Sequence, residues 1–288
     1  MSRIFNAAVA TEAHDRADGP RRTVTPGIAT SALNAANQFW FAVAVAGQLM
    51  LVVYVVGFYG RAALQGQLES WNRVLPHGYV AGDTFGNLIV AVHLLFATII
   101  TLGGALQLTT GVRRLWPTLH RWNGRLYLLS AMLMSVGGLV MIWTRGGAGD
   151  LSQHIAITLN ALLIMGFAGM TVRHAIARRF DLHRRWALRL FLAVSGVWFF
   201  RVGLMFWIAV NQGPVGFDPK TFQGPFLTFL AFAQYLLPLA ILQLYFHVQD
   251  HGTPGRRIAM ACGLVVLTLL MAVGIVAASM MMWLPRIL

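Results

Sequence analysis

Four histidines are spaced at one per apolar run through the middle of the chain, and this pattern points to the clearest chemistry. His93 lies about five residues inside one apolar run, and His154 lies near the start of a later one. His120 and His183 lie at the starts of the runs that follow each of these. A neutral imidazole is a good ligand for haem iron, and axial ligation from two facing helices uses one nitrogen from each side. The pattern therefore favours a haem-binding bundle.

The runs that carry these histidines belong to a chain too apolar for a water-soluble domain. Of its 288 residues, 57% are hydrophobic and 11% are charged, and the mean hydropathy is +0.65. A helix needs about 20 mostly apolar residues to span the hydrocarbon of a bilayer. We therefore predict an all-α integral membrane protein with seven transmembrane helices, at about residues 39–58, 88–108, 122–143, 153–172, 186–210, 226–246 and 258–283.

A polar segment precedes this membrane domain. Residues 1–36 are predicted to form a disordered cytoplasmic tail, because they are polar, contain Pro and Gly and show no apolar periodicity. No apolar segment follows their arginines at the distance typical of a signal peptide. Residues 37–288 are predicted to form the seven-helix domain, with residues 85–210 as the candidate haem bundle.

The positive charge of the chain is distributed unevenly between the loops. The net charge is +13, which in a soluble protein would suggest a nucleic-acid partner. Here 16 arginines lie in the tail and in the loops after runs 2, 4 and 6, whereas the opposite loops and the C-terminus carry only Arg61, Arg73, Arg145, Lys220 and Arg286. By the positive-inside rule, the N-terminus is predicted in the cytoplasm and the C-terminus outside. We expect a bacterial inner membrane, a lipid bilayer as partner and no nucleic acid.

Two stretches of the candidate bundle resemble each other. Residues 121–128 read RWNGRLYL and residues 185–192 read RWALRLFL, an offset of 64 residues, while His93 and His154 are 61 residues apart. Runs 2 and 3 are therefore predicted to be duplicated as runs 4 and 5, as parallel repeats about an axis along the membrane normal. This arrangement pairs His93 with His154 in an outer layer and His120 with His183 in a lower, cytoplasmic layer.

Three further residues fit the two-layer arrangement. Arg201 is 18 residues beyond His183, five helical turns on the same face, so we expect it about 27 Å higher, in the outer layer. A buried arginine there needs an anion, such as a haem propionate or an anionic substrate. Gly138 is likewise 18 residues from His120, and Gly124 is about one turn from it. Their missing side chains would leave room for a flat macrocycle.

The segment LHRWNG, residues 119–124, resembles the Leu-His-Ser-Trp-x-Gly signature that opens the third core helix of the ascorbate-reducible transmembrane cytochromes b. The whole arrangement more closely resembles an uncharacterised family of predicted bacterial multi-pass membrane proteins. The resemblance covers about residues 85–210 and implies two b-type haems, one ligated by His93 with His154 and one by His120 with His183. The sequence departs from the signature at the lower pair, because Arg121 replaces a small residue and His183 lies one place early.

Several functions are disfavoured by what the apolar runs lack. None of the seven runs contains Asp or Glu, residues on which ion-coupled carriers usually depend. The single lysine, Lys220, lies in an outer loop, which excludes a retinal Schiff base within the helices.

The other histidines are poorer ligand candidates. His174 is turned to nearly the opposite face of its helix from His154. The remaining four, His14, His77, His247 and His251, are expected to be solvated.

Two hypotheses from different classes remain. The first is a b-type dihaem membrane cytochrome, a possible oxidoreductase that carries electrons across or into the bilayer, with a quinol or a small reductant as partner. The second is a non-enzymatic bundle that binds a lipid or a hydrophobic small molecule, or that assists assembly of another membrane complex. In that case the histidines and arginines are headgroup anchors, as is common at membrane interfaces. A haem-handling or metal-binding assembly factor that keeps the outer site alone lies between them.

Overall fold

The structure is a computed structural model that describes residues 27–75, 77–146 and 149–288, with only the backbone at 145 and 146. These residues are almost entirely helical. The long helices are α1 Ile28–Tyr54, α2 Thr84–Leu108, α3 Pro117–Met141, α4 Leu151–Ile176, α5 Phe180–Val194, α6 Gly196–Asn211, α7 Pro225–His251 and α8 Pro254–Ala278. Shorter helical segments are Val55–Gly60, Arg61–Leu64, Leu68–Arg73, Thr110–Leu115, Ile142–Gly146, Ser279–Trp283 and Leu284–Ile287.

The helices agree with the predicted all-α membrane protein. Within the described residues, six helices are long and apolar enough to cross a bilayer, and the number rises to seven if α5 and α6 together form one span. These two helices are bent by 50° at a short break. The prediction of one continuous helix over residues 186–210 is therefore wrong.

The break between α5 and α6 falls at Ser195 and Gly196, a residue pair at which helices often kink. The Ser195 hydroxyl donates to the Phe191 carbonyl at 2.8 Å and accepts a hydrogen bond from the Gln48 amide of α1 at 3.0 Å. The Asn160 amide of α4 donates to the Ala193 carbonyl at 3.2 Å. Side chains from two other helices thus satisfy polar groups at the break, which makes the bend compatible with an apolar surrounding.

The first helix begins earlier than the sequence analysis predicts. Residues 28–36, expected in the tail, belong to α1, whereas residues 1–26 lie outside the described residues. Leu33 and Ala36 are buried in a core cluster with residues of α7 and α8. Arg257 of α8 donates to the Thr30 hydroxyl at 2.8 Å. Packing on two later helices therefore accompanies α1 through a stretch that was expected in the tail.

Helices α2 to α5 enclose a shared core. In this part of the molecule α3 packs along α2 and against α4, and α4 packs along α5. A Cβ at Gly104 of α2 would lie 3.1 Å from the Phe191 ring, so α2 and α5 are also in contact. Each of the four helices contributes to one buried cluster, formed by Ile100, Tyr127, Ala131, Ala168 and Leu190. The histidine-bearing helices are therefore mutual neighbours.

Helices α1, α6 and α8 form the other half of the molecule, and glycines allow close contacts between them. A Cβ at Gly274 of α8 would lie 2.6 Å from the Val202 carbonyl oxygen of α6. A Cβ at Gly47 of α1 would lie 2.6 Å from Ile275 of α8. Small residues at such positions let helix backbones approach closely, which is a main source of helix association in membranes.

The close approach at Gly274 gives a prediction about stability. We expect Gly274→Leu to lower the thermal unfolding temperature in detergent, because overpacking costs about 1–3 kcal/mol. Gly263→Leu on the same helix is the control, since a Cβ there has no neighbour within 4 Å. Equal unfolding temperatures of the two variants would contradict this description of the α6–α8 contact.

Candidate functional site

His93 of α2 lies against the last turns of α3, at the end predicted to be outside, here called the outer end. A Cβ at Gly138 would be 3.8 Å from its Cε1 atom, and one at Gly137 would be 4.0 Å from its Nδ1 atom. This Nδ1 atom is buried and has no hydrogen-bond partner in the described part of the chain. Gly138, predicted to leave room for a cofactor, thus lies beside His93, and a methyl group there would be in ordinary van der Waals contact with the ring.

His154 lies in the first turn of α4, close to the same end of α3. Its ring meets the Trp143 ring edge-on, with centroids 5.9 Å apart. Its Nε2 atom is buried and finds no partner among the residues described. The Trp143 indole donates to the Thr158 hydroxyl at 3.1 Å, and that hydroxyl donates to the His154 carbonyl at 2.8 Å. The two predicted outer histidines therefore both lie beside the outer end of α3.

Arg201 of α6 precedes Val202, which packs in one buried cluster with Val90 of α2 and with Tyr59. The prediction that Arg201 lies five straight turns above His183 is wrong, because the helix bends at Ser195. This packing nevertheless associates Arg201 with the outer end. Its guanidinium donates to the Val197 carbonyl at 3.4 Å, within its own helix. Within the described residues, most of its donors therefore remain for another acceptor.

The lower pair, His120 and His183, lies in the first turns of α3 and α5. These two helices meet in the buried cluster that contains Tyr127 and Leu190. His120 Nε2 lies 3.4 Å from the Gln107 amide nitrogen, while its Nδ1 atom is buried with no partner in the described residues. The pairing of α3 with α5 that the sequence predicts is therefore compatible with this geometry.

His183 is oriented by a backbone carbonyl. Its Nδ1 atom lies 3.0 Å from the Thr171 carbonyl oxygen, which can only accept a hydrogen bond. We therefore assign the ring proton to Nδ1, which leaves the lone pair on Nε2. An imidazole held by Nδ1 in this way is oriented as metal-ligating histidines commonly are.

The space beside Gly124 is filled by protein. A Cβ at Gly124 would lie 2.8 Å from the Gln107 amide nitrogen. The Asn123 amide donates to Gln107 Oε1 at 2.9 Å and to the Gly103 carbonyl at 2.8 Å, so a polar network joins α2 to α3. Room for a cofactor at Gly124 would require Gln107 to adopt another rotamer, and the role of Gly124 stays a prediction. Gln107 and Asn123 are amide side chains within apolar runs, and this signal in the sequence could have predicted the network.

His174 is more enclosed than the sequence analysis implies. It is only 8% exposed, and its Nδ1 atom has no hydrogen-bond partner within the described residues. The buried face of α4 is wide enough to take in the side opposite His154, since Gln153, Asn160 and Thr171 are buried as well. His77, His247 and His251 are exposed, as predicted, and His14 lies outside the described residues.

These features define a multi-pass helical membrane protein in which α2, α3, α4 and α5 each carry one of the four predicted ligands. Within the described residues, no group of three or more His, Cys, Asp or Glu side chains could hold a bare metal ion. Residues 90–237, which are 148 of the 288 residues, match the family described as "Predicted membrane protein (DUF2306)". The chain belongs to this uncharacterised membrane-protein family.

The matched segment contains all four predicted ligands and Arg201. No curated protein and no solved structure matches the chain. The resemblance to the ascorbate-reducible cytochromes b and the bacterial origin stay predictions.

Asp150, which caps α4 four residues before His154, gives a prediction about pH. Hydrogen bonds from the Ser152 hydroxyl and from the Gln153 backbone N–H hold the pKa of Asp150 below its usual value. A depressed folded-state pKa stabilises the protein above the unfolded pKa of about 3.9, and this stabilisation is lost as the pH falls through the folded pKa. We expect Asp150→Asn, which caps without titrating, to weaken the loss of thermal stability at acidic pH. An unchanged pH profile would contradict this role.

Proposed function

We propose that the chain is a b-type membrane cytochrome with one haem between His93 and His154 and a second between His120 and His183. The supporting observation is that three of these four imidazoles keep a buried ring nitrogen without a partner in the described residues: His93 Nδ1, His120 Nδ1 and His154 Nε2. A buried polar atom left unpaired costs about 1–3 kcal/mol. A ligand that binds beside these rings and reorients them would remove that cost.

The residues at the outer pair fit a flat, partly anionic cofactor. Gly137 and Gly138 present no side chain towards His93, and Trp143 offers an aromatic edge beside His154. The guanidinium of Arg201 can pair with a propionate, as the sequence analysis expects. A bound haem would supply reversible one-electron transfer, while the protein supplies ligation, orientation and a low-dielectric surrounding.

The lower pair fits less completely. His183 presents its Nε2 lone pair because Thr171 holds Nδ1. The Gln107 amide lies against both His120 and Gly124, so the second haem requires this side chain to adopt another rotamer. The sequence also departs from the Leu-His-Ser-Trp-x-Gly signature at this lower pair, at Arg121 and His183. The outer haem is accordingly the core of the proposal.

The proposed function includes the predictions about helix duplication, membrane orientation and the electron partner. We propose that α2 with α3, and α4 with α5, are the duplicated pairs, and that the kink at Ser195 arose in the second copy alone. The N-terminus is proposed to be cytoplasmic and the C-terminus outside, in a bacterial inner membrane, on the distribution of arginines. A quinol or a small soluble reductant is the proposed electron partner.

Ligand variants test the function. We expect His93→Leu and His154→Leu each to lose about one haem per chain relative to wild type, when the protein is expressed with ample haem and haem is quantified as the pyridine haemochrome. The matched control is His247→Leu, at an exposed position near the end of α7, whose haem content should stay at the wild-type level.

A folding defect is separated from ligand loss by a conservative variant. His154→Met keeps an axial donor, so it should retain haem with an altered spectrum. If both leucine variants hold as much haem as wild type, His93 and His154 are not the ligands. If wild type itself binds none, the alternative of an interfacially anchored, non-enzymatic bundle takes its place.

A further inference from the structure

An apolar cavity of about 510 Å³ lies between the helices of the described structure. Its walls come mainly from α1, α5, α6, α7 and α8. Ligand pockets typically enclose about 300–1,000 Å³, so this space is large enough for a small molecule.

The cavity is elongated along α7. Its wall on this helix runs from Phe226 to Tyr245, which is 19 residue steps of about 1.5 Å, or about 28 Å. This length approaches the roughly 30 Å thickness of the hydrocarbon core of a bilayer. Pro238 lies within this stretch, and because proline has no N–H, it leaves the Gln234 carbonyl without its helical donor. The cavity therefore suits a long, chain-like molecule.

The cavity is open towards the surface along α7 and α8. Phe229, Leu237 and Leu270 line it, and these side chains are 64%, 54% and 46% exposed. In a membrane this surface faces lipid, so a molecule dissolved in the bilayer can enter from the side. This route excludes ligands that are confined to water.

The polar groups in the wall are few and uncharged. The lining residues include no Lys, Arg, His, Asp or Glu, and their amide and hydroxyl side chains are Asn37, Gln234 and Tyr245. The Asn37 amide nitrogen and the Tyr245 hydroxyl are buried with no hydrogen-bond partner in the described residues. Both can donate, and Ala36, next to Asn37, packs in the same core cluster as Tyr245. The occupant thus needs a neutral head group that accepts hydrogen bonds at this end.

The donor end of the cavity lies near the lower histidine pair. Leu188 of the wall is five residues beyond His183 on α5. Leu108 of the wall follows Gln107, whose amide nitrogen is 3.4 Å from His120 Nε2. A head group bound between Asn37 and Tyr245 would therefore be a neighbour of the proposed lower redox site.

We propose that this cavity binds an isoprenoid quinone, whose ring carbonyl accepts hydrogen bonds from Tyr245 and Asn37 and whose tail runs along α7. A redox role for this site rests on the proposed cytochrome function. The quinone would be the membrane-soluble electron partner of that cytochrome. A diacylglycerol shares the long chain and the neutral carbonyl. Eight Phe and Trp side chains in the wall favour the flat quinone ring, because aromatic rings stack on one another.

Two tryptophans of the wall, Trp40 and Trp207, provide the signal for a binding test. Quinones quench tryptophan fluorescence, so a short-chain ubiquinone analogue titrated into the detergent-purified full chain should quench it saturably. We expect Tyr245→Phe and Asn37→Leu each to raise the apparent Kd about tenfold, since each removes a hydrogen-bond donor. The matched control is Tyr235→Phe on the same helix, whose hydroxyl is also buried and unpaired but whose side chain is not in the wall.

Three outcomes would overturn the quinone site. These are quenching that does not saturate, equal Kd values for Tyr245→Phe and Tyr235→Phe, and full displacement of the quinone by equimolar diacylglycerol. The assay does not need haem. Quinone binding by a haem-free protein would contradict the cytochrome function alone, whereas a haem-containing protein that binds no quinone would contradict this inference alone.

Discussion

In the interior of a membrane domain, a polar side chain has no water to turn to and must find its partner inside the protein. Several helix contacts around the site satisfy this constraint. Gln48 and Asn160 supply the hydrogen bonds that the break at Ser195 requires, and Asn123 joins α3 to α2 through Gln107. Where such partners are missing, as at His93 and His154, the unpaired atoms indicate where a ligand would be accommodated.

Helix α3 connects the two ends of the bundle. Its outer end, at Gly137 and Gly138, lies beside His93, and Trp143, in the segment that follows α3, lies beside His154. Its other end carries His120. After the break that follows α5, α6 packs against α8, and Val202, next to Arg201, packs in one buried cluster with Val90 of α2. Helices α5 and α6, on the two sides of this bend, both line the apolar cavity. The helices joined at the bend therefore contribute residues to both proposed sites.

Hydropathy and length predicted the helices well, because burial in lipid is a property of composition. They missed the break at Ser195, since a Ser-Gly pair hardly changes the hydropathy of an apolar run. They also missed the start of α1, because residues 28–36 are held by packing on α7 and α8 and by the contact of Thr30 with Arg257. Helical spacing associated Gly138 with the histidine bundle, yet it could not foresee that Gln107 would fill the space at Gly124. Such local filling depends on the rotamers of a neighbouring helix, which a single sequence does not encode in its spacing.

The central claim is that paired histidines of this chain ligate haem. The most direct measurement is the dithionite-reduced minus air-oxidised absorption spectrum of the detergent-purified full-length protein, expressed with ample haem. We predict a sharp reduced α-band at the position typical of b-type haem with bis-histidine ligation. A featureless difference spectrum would contradict it and would return the four histidines to a role as polar anchors of a membrane bundle.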